Sequence, residues 1–182
     1  TLPPLVFHDP EAARGLLRYR IATLDQARQR ARELSHERGA LYPWRTISGR
    51  ECSSFFPAST AQYHINAAIA YAVQLYELAT GDHAFVRGEA AEMLLETARI
   101  WIDLGHFNPE QDYHFTIHEV TGPDEYTAMV DNNYYTNLLA AEHLAYAAAV
   151  ARDLAEREPE RWYALQRRRG TLIAFPKTTG RC

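Results

Sequence analysis

The sequence predicts an all-α fold built from helical hairpins. Apolar residues recur at the helical spacing of three and four positions over most of the 182 residues. Helix-starting and helix-stopping residues divide this pattern into about six helices, which are mostly joined by short links. Two of the helices are rich in alanine, and small side chains allow neighbours to pack closely on several sides. One segment, near residues 106–120, alternates as a short β-hairpin does.

The first two helices are predicted from their caps. Asp9 caps the first, a proline follows at its first position, and the helix runs to about residue 20. Thr23 and Gln26 have the spacing of a capping box for a second helix, which Gly39 ends. Many arginines lie along the outer side of this second helix, so we expect it at the surface.

Two more helices follow a loop that spans residues 40–58. Residues 59–62 (Ser-Thr-Ala-Gln) cap the third helix, which Gly81 ends, and Asp82 caps the fourth, which Gly105 ends. The loop before them has no periodicity. A connection of this length inside a compact domain is more often functional than idle, so we expect it to carry binding residues.

The longest predicted helix lies in the C-terminal part. Asp131 or Asn132 caps it, and it runs to Pro159, which interrupts the pattern and opens a short last helix. We predict one helical domain at residues 1–170 and an irregular tail at residues 171–182, where the periodicity is lost.

Composition and charge argue against several classes of protein. A net charge of −4 disfavours a nucleic-acid or membrane-surface partner, and the basic C-terminal residues are typical of a solvated tail. No apolar run is long enough to cross a bilayer, and the first residues do not resemble a signal peptide. Cys52 and Cys182 form neither a disulfide framework nor a metal motif, which fits a reducing compartment. We therefore expect a cytoplasmic protein without nucleic-acid or membrane partners.

The candidate site is a turn at residues 121–126 (Thr-Gly-Pro-Asp-Glu-Tyr), called here the acidic turn. Its glycine and proline break helix and strand, so Asp124 and Glu125 lie at the tip of a rigid loop. Aromatic and amide side chains follow nearby, at Tyr126, Asn132, Asn133, Tyr134, Tyr135 and Asn137. Aromatic faces stack on a pyranose, amides bind its hydroxyls, and a partly desolvated carboxylic acid keeps its proton near neutrality. The alternative is a solvated turn before an ordinary helix.

Five further side chains could line such a site. Trp44 is a candidate for stacking on a sugar, with core packing as the alternative, and Arg45 either sets specificity or forms a surface ion pair. Tyr63 and His64 stand at a helix start, where His64 either lines a cleft or packs. His118 either donates to a hydroxyl or is a structural histidine. The neighbouring histidines are too loosely spaced for a metal site, so none is predicted.

Several motifs together resemble the central catalytic domain of glycoside hydrolase family 65. They occur in the family's order at residues 17–20 (Leu-Arg-Tyr-Arg), 43–46 (Pro-Trp-Arg-Thr), 60–66 (Thr-Ala-Gln-Tyr-His-Ile-Asn), 96–99 (Glu-Thr-Ala-Arg), 120–126 (Val-Thr-Gly-Pro-Asp-Glu-Tyr) and 130–137 (Val-Asp-Asn-Asn-Tyr-Tyr-Thr-Asn). The resemblance covers roughly residues 9–155, and the last two motifs are its most specific part. That family contains maltose, trehalose and kojibiose phosphorylases, and some hydrolases of α-linked glucose disaccharides.

The resemblance implies a partial (α/α)6 barrel and an inverting reaction. Glu125 would be the general acid that protonates the glycosidic oxygen, while inorganic phosphate attacks C1 from the opposite face without any cofactor. Asp124 would be structural or orienting. Contacts with the disaccharide would come from Trp44, Arg45, Tyr63, His64, His118, Tyr126 and Asn133. A hydrolase would instead need a second carboxylate, about 6.5–9.5 Å from the acid, and the sequence assigns none.

The resemblance is incomplete in ways that carry predictions. The family's barrel has twelve helices, its Trp-Asp-Thr-Glu motif precedes this region, and its phosphate-binding loop follows it. We therefore expect a half-barrel with little or no catalysis alone. Unpartnered inner faces of the third and fifth helices predict association of this chain with itself or with a complementary half. The rival hypotheses are a non-catalytic carbohydrate-binding or scaffold domain and a helical interaction module.

Overall fold

The structure is a computed structural model that describes residues 2–53, 61–124, 126 and 128–167. Three predictions therefore lie outside the described residues. These are the placement of Glu125, the first part of the cap at residues 59–62, and the tail at residues 171–182.

The described chain is mainly helical, with one antiparallel hairpin. Its helices are α1 (Leu2–His8), α2 (Pro10–Ala22), α3 (Leu24–Glu33), α4 (His64–Thr80), α5 (His83–Phe85), α6 (Ala91–Leu104), α7 (Tyr134–Arg157) and α8 (Pro159–Arg167). A π-helical turn, Val86–Ala90, joins α5 to α6. Strands β1 (Gly105–Asn108) and β2 (His114–Ile117) pair with Gly105 opposite Ile117. The predicted all-α class with one short β insertion is confirmed.

The N-terminal helices agree only in part with the prediction. Asp9 caps α2 as expected, because its carboxylate accepts from the Ala12 N–H at 3.0 Å. Helix α1 was not predicted. Its two prolines lie in the first turn, where their missing N–H groups cost no helical hydrogen bond, and Val6 buries it against the core.

Helix α3 begins after Thr23 as predicted, but its cap and its C-terminal end differ from the prediction. Thr23 does not cap with its side chain, because its hydroxyl donates back to the Tyr19 carbonyl at 2.9 Å. The helix ends at Glu33, where Ser35 has a φ of 66° and the His36 N–H donates to the Ala31 carbonyl at 3.0 Å. This left-handed closure usually takes glycine, so a serine gave no stop signal.

Gly39 is therefore not a helix stop. It has a φ of 78°, and a Cβ there would lie 2.9 Å from the Glu96 carbonyl oxygen. The chain crosses the backbone of α6 at this point, and only glycine fits.

The remaining helix ends follow their predicted signals more closely. Gly81 ends α4 with a φ of 69°, and Asp82 caps the next turn by accepting from the Phe85 N–H at 2.9 Å. Helix α7 is capped by Asn133 rather than by Asp131 or Asn132. Those two side chains accept instead from backbone N–H groups on the β2 side.

Two adjoining hydrophobic clusters hold the fold together. The larger contains buried residues of α2, α4, α6 and α7. The second lies under the hairpin and includes Leu41, Tyr63, Trp101, Ile117 and Val120. This second cluster joins the long loop, the start of α4, the end of α6 and the approach to the acidic turn. These segments therefore pack against one shared hydrophobic cluster. Among the described residues, no helix is long and apolar enough to span a membrane.

Candidate functional site

The acidic turn is fixed at its base by backbone hydrogen bonds. Val120 and Val130 exchange N–H···O bonds of 3.1 and 2.9 Å. One step outside this bridge, the Asn132 N–H donates to the Ile117 carbonyl at 2.7 Å, and its side-chain oxygen accepts from the Ile117 N–H at 3.2 Å. The Thr121 N–H donates to the Ala61 carbonyl at 3.0 Å. The turn is thereby joined both to β2 and to the segment before α4.

Three residues without glycine's freedom adopt left-handed backbone around this turn. The φ angles of Glu119, Met129 and Asn132 are 55°, 57° and 50°. Each such conformation costs on the order of 1 kcal/mol and persists where surrounding contacts over-determine it, which is frequent at binding and catalytic sites. The hydrogen bonds at the base of the turn are such contacts.

His118 is oriented by its neighbours at the foot of the turn. Its Nδ1 lies 3.0 Å from Asp131 Oδ1, its Nε2 lies 3.1 Å from Thr116 Oγ1, and its ring stacks on His106 at 5.1 Å. Asp131 also accepts from the Glu119 N–H at 3.2 Å. Donation from that N–H, and then from His118, lowers the pKa of the Asp131 carboxyl. Within the described ranges, no three His, Cys, Asp or Glu side chains converge as metal ligands.

The start of α7 packs directly against the acidic turn. Asn133 caps α7 by accepting from the N–H and the hydroxyl of Thr136, at 3.0 and 3.1 Å. The other end of its amide faces Gly122, where a Cβ would lie 2.8 Å from Asn133 Nδ2. His64, buried at the start of α4, meets the edge of Tyr135 with ring centroids 5.7 Å apart. The structure thus brings His64, Asn133 and the acidic turn together.

Trp44 and Arg45 lie together on the long loop. The Arg45 guanidinium is 4.2 Å from the centroid of the Trp44 ring. Glu51 closes this part of the loop, because it accepts from the N–H groups of Trp44, Arg45 and Ser53 and from the Ser53 hydroxyl. Burial alone would raise the pKa of the Glu51 carboxyl, but the bonds from Ser53 and from the backbone N–H groups outweigh burial and lower it.

Asn66 connects this loop to the start of α4. Its side-chain oxygen accepts from the Tyr42 N–H at 3.0 Å, and its nitrogen donates to the Ala40 carbonyl at 2.8 Å. The segment that precedes Trp44 is therefore bonded to Asn66, which lies two residues after His64 in α4. Tyr126, by contrast, is 99% exposed, so its ring is open to solvent.

Tyr63 is buried, and its hydroxyl is engaged within the protein. It lies 2.7 Å from His36 Nε2, and His36 Nδ1 lies 2.9 Å from Asp103 Oδ2. His36 and Asp103 were not predicted as site residues because neither stands in a motif. One signal was available: Asp103 is an acid in the last turn of α6, where the helix dipole disfavours negative charge unless it has a partner.

The chain is similar in sequence to proteins of known family. Residues 1–170 match the model of the glycosyl hydrolase family 65 central catalytic domain. The chain is 52% identical over 159 residues to alpha,alpha-trehalose phosphorylase of Geobacillus stearothermophilus, covering 87% of this chain and 20% of that protein. It is 39% identical over 165 residues to kojibiose phosphorylase of Escherichia coli (strain K12), covering 83% and 21%.

The fold has a solved counterpart as well. A putative kojibiose phosphorylase from human microbiome superposes with a TM-score of 0.81 at 28% identity, covering 94% of this chain and 24% of that one. The expected partial (α/α)6 barrel is confirmed by this match. The chain spans about a fifth of the length of the curated relatives it matches. With a family-model match over nearly its whole length, this chain belongs to the central catalytic domain of glycoside hydrolase family 65.

Proposed function

We propose that this chain supplies part of the active site of an inverting phosphorylase that cleaves an α-linked glucose disaccharide. The observation that carries the proposal is the base of the acidic turn, which is hydrogen-bonded to the segment before α4 and packed against the start of α7 in a chain of this family. Fixed geometry matters because a general acid must lie within hydrogen-bond reach of the leaving oxygen.

Glu125 is proposed as the general acid. It protonates the glycosidic oxygen as the bond to C1 breaks, and one glucose leaves with that proton. Phosphate forms the new bond to C1 from the opposite face, so the α-linked substrate yields β-glucose 1-phosphate. Because phosphate is already anionic, this reaction requires neither a second carboxylate nor a cofactor.

Trehalose is the disaccharide that the comparisons favour. Two trehalose phosphorylases are each 52% identical to this chain, whereas a maltose phosphorylase and two kojibiose phosphorylases are 38% to 39% identical. The segment compared includes the acidic turn and the starts of α4 and α7.

The sugar contacts are proposed from the side chains around the turn. His118, held by Asp131, presents an oriented imidazole, and the Asn133 amide lies beside Gly122. His64 lies at the same junction. Trp44 with its stacked Arg45 offers a flat face on the long loop, and Tyr126 an exposed ring. The remaining contacts, including those to phosphate, are assigned to parts of the barrel that this chain does not contain.

The isolated chain is expected to associate with a second copy. Helices α4 and α7 border an open groove of about 220 Å³, lined mainly by small and apolar side chains such as Ala67, Ala70, Leu138 and Leu139. Tyr71 and Leu138 at this groove are about half exposed. Light scattering checks this expectation, and a monodisperse monomer would contradict it.

The test of the acid uses the full-length polypeptide that contains this segment. Glu125→Gln is expected to lower kcat for trehalose phosphorolysis by about 10²- to 10⁴-fold. The same variant should retain phosphorolysis of 2,4-dinitrophenyl α-glucoside, whose leaving group needs no proton. Asp124→Asn is the matched control, because it removes a neighbouring carboxylate without removing the acid. Equal losses with both substrates would refute the assignment of Glu125.

A further inference from the structure

Three polar side chains form a hydrogen-bonded chain beneath the acidic turn, in which Tyr63 and His36 are buried and Asp103 is partly exposed. The Tyr63 hydroxyl is 2.7 Å from His36 Nε2, and His36 Nδ1 is 2.9 Å from Asp103 Oδ2. Tyr63 and His36 are 7% and 9% exposed. The chain joins three elements, because His36 follows α3, Tyr63 immediately precedes α4, and Asp103 lies in the last turn of α6.

The direction of these hydrogen bonds follows from their chemistry. An ionised carboxylate only accepts, so the proton on the His36 ring lies on Nδ1 and is donated to Asp103. Nε2 of a neutral ring is then an acceptor, and it receives the Tyr63 hydroxyl proton. Burial raises the pKa of Tyr63 to about 12, which keeps the phenol protonated as this arrangement requires.

His36 is itself held by its surroundings. The Arg32 guanidinium donates to the carbonyl oxygens of His36 and Gly39, at 2.6 and 3.2 Å. The left-handed Ser35 closes α3 just before it. Tyr63 is therefore anchored to a rigid segment rather than to a loose loop.

The position of Tyr63 connects this hydrogen-bonded chain to the candidate site. Its ring packs in the second core cluster with Ile117 and Val120, which lead into the acidic turn. Two residues earlier, the Ala61 carbonyl accepts from the Thr121 N–H at 3.0 Å. The next residue, His64, meets the edge of Tyr135. A shift of Tyr63 would displace both the turn and His64.

We propose that Tyr63 and His36 act as positioning residues, which fix the start of α4 and thereby the placement of His64 and the acidic turn for catalysis, and that Asp103 selects the His36 tautomer that accepts from Tyr63. This inference rests on the proposed function. Tyr63 then positions the groups around the sugar and does not contact the sugar itself, which agrees with its burial.

Stability alone does not account for the arrangement. A phenylalanine would fill the same space as the Tyr63 ring without burying a hydroxyl. Asp103 stands at the carboxyl end of α6, where the helix dipole disfavours an acid. A fully satisfied polar network does, however, select one arrangement of the elements it joins. Placement of the site is therefore what this network contributes.

Two substitutions at one position separate the two hydrogen bonds of His36. In His36→Gln the side-chain oxygen reaches the place of Nε2 and still accepts from Tyr63. In His36→Asn the shorter amide reaches the place of Nδ1 and still donates to Asp103, but it leaves Tyr63 without a partner. Tyr63→Phe removes the same bond from the other side. Tyr63→Phe and His36→Gln keep a side chain of similar size at the altered position, and His36→Asn has a smaller one.

The experiment measures kcat and KM for trehalose phosphorolysis in the full-length polypeptide, with hydrogen exchange of the segment around residues 61–66. We expect kcat/KM to fall about 10- to 100-fold in Tyr63→Phe and His36→Asn, because small displacements of catalytic groups cost this much. Exchange of the segment should quicken in the same two variants. His36→Gln should stay within about 3-fold of the unmodified protein. The double variant Tyr63→Phe/His36→Asn should be no worse than either single one.

Three results would overturn the inference. One is unchanged kinetics in Tyr63→Phe, and another is equal loss in His36→Gln and His36→Asn. The third needs no variant: ¹⁵N spectra that place the His36 proton on Nε2 in the unmodified protein. Exchange and tautomer are measured without turnover. If the unmodified protein cleaves no α-glucoside while hydrogen exchange and the His36 tautomer are as expected, the proposed function fails and the positioning of α4 stands.

Discussion

The Trp101 indole donates a hydrogen bond of 3.0 Å to His143 Nδ1 between α6 and α7. Because Nδ1 accepts, the ring proton lies on Nε2, which is 3.2 Å from the Leu94 carbonyl oxygen. Trp101 is fully buried and His143 is 3% exposed. Burial lowers the pKa of His143 from 6.5 to about 4, although the Leu94 carbonyl acts in the opposite direction.

This bond predicts a loss of stability in mild acid. The pKa of His143 is lower in the folded state than in the unfolded state, so its contribution is complete above pH 6.5 and declines as pH falls towards 4. The expected loss is about 2 kcal/mol at pH 5 relative to pH 7.5. Denaturant unfolding followed by tryptophan fluorescence at the two pH values measures it.

The control for this prediction is His143→Gln, which does not titrate. The difference in unfolding free energy between pH 7.5 and pH 5 should shrink by about 2 kcal/mol in the variant, since all other groups titrate as before. An unchanged pH dependence would show that His143 is not the group responsible.

Gly39 and Gly15 should respond to alanine in opposite directions. Gly39→Ala places a Cβ 2.9 Å from the Glu96 carbonyl oxygen at a φ of 78°, so we expect a loss of about 2 kcal/mol or more. Gly15 lies inside α2 with nothing within 4 Å of a Cβ, so Gly15→Ala should gain about 0.5–1 kcal/mol. Thermal unfolding compares them, and a neutral Gly39→Ala would mean that the crossing over α6 is looser than described.

The helical class and most helix ends could be predicted because they depend on local chemistry. Asp9, Gly81, Asp82 and Pro159 act within a few residues of their own positions, and each has its predicted role at a helix end. The errors have the opposite origin. The need for glycine at position 39 comes from contact with α6, which lies some sixty positions away in the sequence. Its residue type alone predicts a helix stop.

The candidate site shows the same division. The acidic turn and its amide neighbours could be predicted from one continuous stretch, and the motifs there are specific. The partners of Tyr63 could not, because His36 and Asp103 come from the ends of two other helices. Asn133 was predicted to bind sugar from its amide group, its place after the acidic turn and the family resemblance. Its capping of α7 and its contact with Gly122 depend on where α7 begins. The predicted caps were Asp131 or Asn132, so this start was placed too early.

Glu51 is expected to hold the loop that carries Trp44. Glu51→Ala removes the acceptor of three N–H groups and one hydroxyl, so the amides of Trp44, Arg45 and Ser53 should exchange with solvent faster. Hydrogen exchange and tryptic cleavage after Arg45 measure the effect. Glu33→Ala is the control, because the Glu33 side chain is exposed and its ion pair with Arg30 is long, at 3.6 Å. Equal protection of the loop in both variants would contradict this role.

Gly122 and Asn133 should be energetically coupled. A Cβ at residue 122 would lie 2.8 Å from Asn133 Nδ2. That amide cannot turn away without losing the cap, because its oxygen accepts from the N–H and the hydroxyl of Thr136. Gly122→Ala should therefore cost about 1–2 kcal/mol, close to the value of a helix cap.

Asn133→Ser provides the matched background for this prediction. Serine keeps a capping oxygen but has no amide nitrogen, so the single substitution should cost only a few tenths of a kcal/mol. In that background Gly122→Ala should be nearly neutral, so the coupling energy of the cycle should be about 1–2 kcal/mol. Asn133→Ala, which loses the cap, should cost about 1 kcal/mol more than Asn133→Ser. Chemical denaturation of the four members of the cycle measures the coupling. Strict additivity would mean that the acidic turn and the start of α7 are held independently and that Asn133 does not fix the turn.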